Sequence, residues 1–149
     1  MNRIGLIACT ASKHQILLPA RLLYSKSTLF RYGYQYCKRQ YDEIKILSAK
    51  YGLLDPDSQI YPYNETLNTM SSDKVNEWAR KVAKEINQEY PDGADLYFHA
   101  GSKYRTVSTY LDKNLFKINY PMVKVGGIGK QVKFYKDKLG GITLKSSLM

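Results

Sequence analysis

The sequence is poor in cysteine and has no long apolar run. Cys9 and Cys37 are its two cysteines, and they form no CxxC pair, so neither a disulfide framework nor a zinc site is indicated. No apolar stretch approaches the ~20 residues of a membrane-spanning helix, and no membrane partner is expected. HExxH and paired-histidine patterns are also missing. We therefore expect no metal and no other cofactor.

The N-terminal segment lacks the features of a secretion signal. One arginine precedes a short apolar run at residues 4–8, which is typical of a first strand. We therefore expect a cytoplasmic protein. A length of 149 residues is typical of one domain, and the hydrophobic content of 44% is enough for that domain to have its own core. Residues 140–149 are expected to form a frayed tail.

Acidic residues are missing from the first 41 positions, which carry seven lysines and arginines. Residues 42–95 hold eleven acids and six bases, and residues 96–149 hold ten bases and two acids. If the two basic ends adjoin in the fold, they form a positive face that is typical of a polyanion site. The alternative is a solubilising surface. The fourteen tyrosines favour nucleic acid, because aromatic faces stack on bases.

Short apolar runs alternate with helical patterns along the chain. The runs at residues 4–8, 44–47, 95–99 and 116–120 predict strands, and helices are predicted at 27–40, from Ser71 or Ser72 to just before Pro91, at 103–111 and at 130–139. This alternation predicts an α/β protein with a mostly parallel sheet of four or five strands, covered on both faces as a three-layer α/β/α sandwich. Ligands of such sheets bind beyond the carboxyl ends of the strands.

The loop at residues 48–67 is the most informative segment, because it is too long and too polar for a simple connector. Asp55 and Glu65 are candidate catalytic carboxylates, since a general base must be held near its substrate. Glu65 is preferred, because partial burial between Tyr63 and Leu67 would weaken its acidity. The candidate substrate-binding residues of this loop are Ser48, Lys50, Tyr51, Gly52 and Tyr63.

The loop after the first predicted strand contains Cys9, Ser12 and Lys13. Cys9 would be a nucleophile if Lys13 or His14 stabilised its thiolate, and otherwise it is a small buried apolar residue. Ser12 and Lys13 are candidate phosphate contacts. All three are included in the predicted substrate site.

The third predicted strand is followed by a second polar cluster. Gly101 precedes a predicted helix whose free amides favour an anion, and Lys103 and Arg105 add positive charge there. Tyr104 is a candidate for stacking on a base. His99 is a candidate catalytic residue that holds a leaving base or an oxyanion, and the alternative is a structural histidine.

The segment at residues 126–131, GGIGKQ, is typical of a backbone phosphate cradle, although it lacks the spacing of a P-loop. A simple turn and helix start is the alternative. The candidate binding residues here are Gly127, Gly129, Lys130 and Gln131.

LSAKYGLLDP at residues 47–56, followed by Pro62-Tyr63 and Thr66-Leu67, resembles an uncharacterised family of small bacterial and phage proteins. Three further elements of that family match residues 9–13, 100–105 and 127–131, so the resemblance spans nearly the whole chain. The long loop is also similar to that of the peroxide-stress YaaA family, which implies DNA binding.

The family further resembles the uracil-DNA glycosylase-like α/β/α fold, which implies action on a nucleobase. Those glycosylases carry a catalytic aspartate soon after the first strand, whereas residues 9–14 contain no acid. That role is therefore not transferred to this loop.

We expect a protein that binds nucleic acid, with DNA preferred to RNA, and that resembles a DNA glycosylase in hydrolysing the N-glycosidic bond of a modified base taken out of the helix. Glu65 or Asp55 would activate water, and His99 would hold the leaving base. Two alternatives remain, namely a non-catalytic DNA-binding module in stress response or phage–host conflict, and a protein that binds or hydrolyses free nucleotides. Stacking is assigned to Tyr51, Tyr63 and Tyr104, and phosphate binding to Lys13, Lys50, Lys103, Arg105 and Lys130.

Overall fold

A mixed sheet of five strands lies at the centre of the computed structural model, which describes residues 1–145. The strands of the chain are β1 (Arg3–Ala8), β2 (Leu18–Pro19), β3 (Glu43–Ser48), β4 (Gly52–Leu54), β5 (Gln59–Ile60), β6 (Ala94–His99) and β7 (Phe116–Asn119). The helices are α1 (Ala20–Leu23), α2 (Thr28–Gln40), α3 (Ser72–Glu89), α4 (Ser102–Arg105) and α5 (Ile128–Lys138), with 3₁₀ turns at Leu67–Thr69 and Thr106–Tyr110.

The sheet has the order β4-β3-β1-β6-β7, and β2 pairs with β5 in a separate two-stranded ribbon. Strands β3, β1, β6 and β7 are parallel, and β4 is antiparallel to β3 at one edge. In this register Ile7 of β1 lies level with Ile46 and His99. The predicted α/β class, the mostly parallel sheet and the four predicted strands are therefore confirmed. The short strand β4 was not predicted.

Helices pack on both faces of the sheet. A side chain at Gly33 of α2 would lie 3.1 Å from the Cδ1 atom of Ile7, so Ile7 faces α2. Because side chains alternate along a strand, the fully buried Ile4 and Leu6 point to the opposite face. Right-handed crossovers place α2 and α3 on opposite faces, since the chain crosses the sheet in opposite directions through them. Helix α5 packs on α2, and α3 packs on β4 and the second 3₁₀ turn.

Serine side chains cap the two long helices that the sequence predicts. Ser27 Oγ accepts a hydrogen bond from the Phe30 amide at 3.1 Å, and Ser71 Oγ accepts one from the Lys74 amide at 3.3 Å. Each cap of this kind stabilises a helix by ~1 kcal/mol. Within residues 1–145, no helix combines the length and the apolar character that crossing a bilayer requires.

The single helix predicted at residues 103–111 is wrong. The chain forms only α4 and then a 3₁₀ turn, whose Ser108 Oγ donates to the Arg105 carbonyl at 2.8 Å. Such side-chain bonds to the backbone compete with helix, and Thr106, Val107 and Thr109 are β-branched residues that helices disfavour.

The structure describes the first part of the predicted tail, residues 140–145. These residues form no strand, and the Leu144 amide donates to the Tyr32 hydroxyl at 2.9 Å. Leu144 thereby packs against an apolar cluster that is formed by Tyr32, Met122, Tyr135 and Leu139. The remainder of the predicted tail, residues 146–149, lies outside the described residues.

The sheet order creates a switch point between β1 and β6. From β1 the chain continues to β3 on one side, and from β6 it continues to β7 on the other. The loops that follow β1 and β6 therefore diverge and leave a crevice at the carboxyl edge. Helices α2 and α5 begin at this same edge, where their first residues line the cavity described below, and α3 begins near it, since Trp78 of its first half donates to the Ser48 carbonyl at the end of β3.

A substitution of Gly52 tests whether the tight turn between β3 and β4 requires a glycine. Its φ is +74°, and a Cβ atom there would lie 2.4 Å from Glu85 Oε1, which accepts the Leu53 amide at 3.2 Å. We predict that Gly52→Ala lowers the free energy of unfolding by about 2 kcal/mol. Gly129→Ala is the matched control, because open space surrounds that position, and it should raise stability by about 0.5 kcal/mol. Urea denaturation measures both, and a Gly52→Ala variant as stable as the wild type would contradict this account.

Candidate functional site

A cavity of about 880 Å³ opens at the carboxyl edge of the sheet, at the switch point between β1 and β6. Its volume is within the ~300–1,000 Å³ range of ligand pockets. Four segments form its walls, at residues 7–13, 26–30, 63–66 together with Asn68, and 99–104. One side of α5 completes it.

Many of the predicted site residues line this cavity. They come from four parts of the chain: the loop after β1, the long loop, the end of β6 with the segment that follows it, and α5. The two most distant of them, Cys9 and Gln131, lie 122 positions apart in the sequence. The lining residues among them are Cys9, Ser12, Lys13, Tyr63, Glu65, His99, Gly101, Lys103, Tyr104 and Gln131. Other predicted residues are not part of its lining, namely Ser48, Lys50, Tyr51, Gly52, Asp55, Arg105, Gly127, Gly129 and Lys130.

Asp55 lies away from the cavity and binds Lys45. The antiparallel strand β4 carries the chain back along β3, away from the carboxyl edge. The Asp55 carboxylate therefore accepts a hydrogen bond from the buried Lys45 ammonium, whose Nζ also lies 3.0 Å from Glu89 Oε1. Asp55 neutralises a buried charge and is not placed to activate water in the cavity.

Ser48 and Tyr51 hold the long loop in place beneath the cavity. Ser48 is fully buried, and its Oγ accepts a hydrogen bond from the Tyr51 amide at 3.0 Å and bonds the Tyr63 hydroxyl at 2.8 Å. The Tyr51 ring contacts the Tyr63 ring edge to face, with centroids 5.5 Å apart. Lys50 is exposed, and its Nζ lies 5.5 Å from the Tyr51 ring centroid.

Arg105 and the glycine segment before α5 also have structural partners. Arg105 Nη1 donates to the Ala100 carbonyl at 3.0 Å, and its guanidinium lies 5.8 Å from the Tyr120 ring. Gln131 Nε2 donates to the Gly126 carbonyl at 2.8 Å, which closes the turn that starts α5. Gly126 has φ +114°, so the turn needs a glycine.

Glu65 is the one acid among the cavity-lining residues of the described chain. Its side chain is exposed, so the partial burial that the sequence predicted is wrong. Glu65 also lines a second cavity of about 400 Å³, with Thr66 and Lys74 among its walls. The carboxylate is therefore in contact with solvent at the rim between two cavities.

Three lysines line the same cavity, which makes its surroundings positive. Lys13 is only 7% exposed, and its Nζ lies 4.5 Å from the Tyr63 ring centroid. Burial lowers the pKa of the Lys13 amine below its ordinary value. Lys103 Nζ donates to the carbonyls of Leu67 and Asn68 at 3.1 and 3.0 Å, and so ties α4 to the long loop. The third, Lys26, is exposed.

The start of α2 is a part of the site that the sequence analysis missed. Lys26, Ser27 and Thr28 line the cavity where this 13-residue helix begins. The first amides of a helix have no intrahelical acceptor, and the helix dipole places a partial positive charge there. The sequence does predict that a helix starts at Ser27. Only the packing of the folded chain shows that this helix start faces the cavity.

His99 is held by two tyrosines. Its Nε2 lies 2.7 Å from the Tyr41 hydroxyl, and its Nδ1 lies 2.8 Å from the Tyr135 hydroxyl. Burial lowers the pKa of His99 to about 4, so the ring is neutral near pH 7. Both ring nitrogens are therefore occupied, and His99 joins β6 to α5.

Cys9 and Tyr104 form a polar pair on the cavity wall. Cys9 Sγ lies 3.2 Å from the Tyr104 hydroxyl, and the Cys9 amide donates to the Leu47 carbonyl at 2.9 Å. The Tyr104 ring packs edge to face on Trp78, with centroids 5.4 Å apart. Burial raises the pKa of Tyr104, so its hydroxyl is a neutral hydrogen-bonding group.

Across residues 1–145, no three histidine, cysteine, aspartate or glutamate side chains are grouped so that they would hold a metal ion. The cavity instead offers amide groups, ammonium groups, hydroxyl groups and one carboxylate. This set of groups suits an anionic organic ligand.

The fold and the cavity define an α/β protein with a ligand-sized site at the switch point of a mostly parallel sheet. The chain belongs to a family that is described as "Family of unknown function (DUF6884)", whose model matches residues 4–137. The matched region runs from β1 into α5 and so includes every wall of the cavity.

The chain is also 32% identical over 113 residues to a "UPF0246 protein" of Crocosphaera subtropica (strain ATCC 51142 / BH68). The alignment covers 71% of this chain and 42% of that relative, so the chain spans less than half of the relative's length. Together the two matches support the predicted distant relation to the YaaA family. No solved structure matches the chain.

The low pKa of His99 predicts a specific loss of stability in acid. An unfolded histidine has its ordinary pKa of 6.5, whereas folded His99 has a pKa of about 4, so protons favour the unfolded state. The contribution of neutral His99 should be complete above pH ~6.5 and should fall by about 3 kcal/mol as the pH drops through 4. Urea denaturation of the wild type and of His99→Gln, compared between pH 7 and 4, measures this difference. Parallel pH curves for the two proteins would contradict it.

Proposed function

We propose that this protein binds nucleic acid, with DNA preferred to RNA, and hydrolyses the N-glycosidic bond of a modified base that enters the cavity. The observation that supports this most strongly is the convergence of the α2 start, Lys26, Lys103 and Glu65 on one ligand-sized cavity. Cations and helix amides suit the phosphates of a nucleotide. A carboxylate suits the activation of water.

Phosphate binding is assigned to the rim of the cavity at the start of α2. Lys26 is exposed there, next to the first amides of a helix that is long enough to have a substantial dipole. Lys103 adds charge from the far side, although its ammonium already donates to two carbonyls. A nucleic-acid backbone that crosses this rim would place one sugar over the cavity mouth.

The interior of the cavity has groups that suit a nucleobase. A base taken out of a duplex is held by stacking on its faces and by hydrogen bonds along its edge. Tyr104 and Val132 supply half-buried apolar surface, and Asn64 and Ser12 supply exposed polar groups. Tyr63 is buried with its ring against Lys13, so it supports the wall and is a weaker candidate for stacking.

The proposed reaction uses Glu65 as the base. Its carboxylate takes a proton from a water molecule, and the water oxygen bonds to C1′ of the sugar. The C1′–N bond breaks with its electron pair on the leaving base, which then takes a proton from solvent. The exposure of Glu65 allows it to return the first proton to solvent. His99 is not assigned to this step, because both of its nitrogens bond tyrosines.

The same proposal includes the finer fold assignment, a relation to the uracil-DNA glycosylase-like fold. Four parallel strands with helices on both faces and a cavity at their carboxyl edge support this relation. The loop after β1 contains no acid, so this chain would rely on a carboxylate of the long loop instead.

A non-catalytic DNA-binding module is the second candidate. The exposure of Glu65 favours it, because general-base catalysis needs a carboxylate that is held at a fixed place near the substrate, and an exposed side chain is not held by packing. Phosphate binding at the α2 start would be unchanged in such a protein. A protein that binds or hydrolyses free nucleotides would use the same contacts with a single phosphate group.

Glu65→Gln separates the enzyme from the module. We predict that this variant loses base release by at least about 100-fold, since general-base catalysis contributes ~10²–10⁴-fold, while its affinity for DNA stays within about twofold. Base release is measured by alkaline cleavage of abasic sites in DNA that carries modified bases. Asp57→Asn is the matched control, because Asp57 binds Arg21 on the surface at 2.8 Å. Base release that survives in Glu65→Gln would contradict the catalytic assignment.

Lys26→Ala tests the phosphate contact at the rim. We predict weaker binding of a single-stranded oligonucleotide and a decrease of about 1 in the slope of log affinity against log salt. Lys38→Ala is the matched control, because Lys38 is exposed in the last turn of the same helix. Fluorescence anisotropy between low and moderate salt gives both slopes. Equal slopes for the two variants would contradict the assignment, and a wild-type affinity that barely responds to salt would favour a mononucleotide site.

A further inference from the structure

We propose that Lys13 is an amine nucleophile that forms a Schiff base with an aldehyde held in the cavity. The identity of the aldehyde rests on the proposed function. It is C1′ of the ring-opened abasic sugar that base release leaves behind. The protein would then cut the strand as well as remove the base. The proposal stands on the position of Lys13 and on the groups around its amine.

Lys13 is a buried lysine that lines the cavity. Its side chain is 7% exposed, and its Nζ lies over the Tyr63 ring at 4.5 Å from the centroid. The loop that carries it is fixed on both sides, since the His14 amide donates to the Leu23 carbonyl at 2.9 Å and Thr10 Oγ1 donates to the Ser12 carbonyl at 3.1 Å. The amine is therefore held at a defined place on the cavity wall.

The amine of Lys13 is weakly engaged. Its hydrogen bond to the Ala11 carbonyl is long, at 3.4 Å, and within residues 1–145 no carboxylate lies within ion-pairing distance of it. Lys45 is an internal comparison, because it is buried to the same degree but binds Asp55 and Glu89. A lysine that is buried without a paired carboxylate is the type that proteins use as a nucleophile.

The surroundings favour the neutral, nucleophilic form of this amine. Burial lowers the pKa of Lys13, while the nearby Cys9 and Glu65 oppose that effect more weakly. Burial also acts to lower the pKa of Lys45, but the hydrogen bonds and the charges of Asp55 and Glu89 together outweigh it, so that pKa is raised. Tyr63, whose ring lies against Lys13 Nζ, supplies no phenolate charge that would hold the ammonium form, because burial raises the pKa of the Tyr63 hydroxyl.

The proposed strand cleavage needs no cofactor. The neutral Lys13 nitrogen bonds to the aldehyde carbon C1′, the resulting carbinolamine takes up one proton from solvent, and a water molecule leaves, so that an iminium forms. A proton is then lost from C2′ to the Glu65 carboxylate, which is exposed and returns it to solvent. The C3′–O bond breaks, and the 3′ phosphate leaves with its electron pair. Hydrolysis of the imine restores Lys13.

The first experiment tests the amine without nucleic acid. The full chain is treated with pyridoxal 5′-phosphate and borohydride at several pH values, and labelled lysines are mapped by mass spectrometry. We expect Lys13 to be labelled ahead of exposed lysines such as Lys38, with its labelling curve shifted to lower pH. Labelling of Lys13 that is no faster than that of Lys38 would overturn the proposal.

The second experiment identifies the aldehyde. Single-stranded DNA with one abasic site is incubated with the protein and borohydride, and covalent complexes are resolved by electrophoresis. We expect a complex with the wild type and with Lys38→Arg, and its loss in Lys13→Arg, which keeps the positive charge but not the amine. Circular dichroism checks that Lys13→Arg is folded, and Lys13→Met gives a second test that keeps the aliphatic stem.

The two experiments separate this inference from the proposed function. Selective labelling of Lys13 without any DNA complex would support the amine and overturn its assignment to an abasic sugar. A DNA complex that persists in both Lys13 variants would overturn the role of Lys13 while leaving nucleic-acid binding intact. A complex that is lost in both variants, together with selective labelling, would support the whole inference.

Discussion

The site depends on a chain of buried hydrogen bonds that anchors the long loop to the end of β3. The Tyr63 hydroxyl bonds both the Tyr24 hydroxyl, at 2.6 Å, and Ser48 Oγ, at 2.8 Å. The Ser48 carbonyl accepts the indole N–H of Trp78 at 2.9 Å, which ties the same point to α3. Buried polar groups are costly unless they are paired, so this network holds one arrangement of the loop. It fixes the Tyr63 ring on which the Lys13 amine lies.

That anchoring explains why a parallel sheet produces one cavity here. The loops after β1 and β6 diverge at the switch point, and the anchored loop closes the space between them. On the other face, His99 bonds Tyr41 and Tyr135, which fixes α5 as the opposite wall. Tyrosine hydroxyls therefore form structural hydrogen bonds on both sides of the cavity. Much of the tyrosine content, which suggested base stacking, is used to build the walls.

The sequence predicted the parts of the fold that have local signals. Short apolar runs give the four parallel strands, and amphipathic patterns that begin at Ser27 and at Ser71 or Ser72 give the starts of α2 and α3. The parts of the site that directly follow the ends of strands were predictable, because ligands of parallel sheets bind at those ends. Three features had no local signal: the return of β4 that pairs Asp55 with Lys45, the exposure of Glu65, and the direction in which the α2 start faces. Each depends on contacts between distant segments.

The central claim is that a nucleic-acid chain binds at the carboxyl edge of the sheet, across the α2 start. Titration of the ¹⁵N-labelled protein with a short single-stranded oligonucleotide, followed by amide chemical shifts, tests this directly. We predict that the largest changes occur at Thr28, Leu29 and Gly101, which line the cavity. Changes confined to Lys113 and Lys117, which are not part of the cavity lining, or no changes at all, would contradict the account.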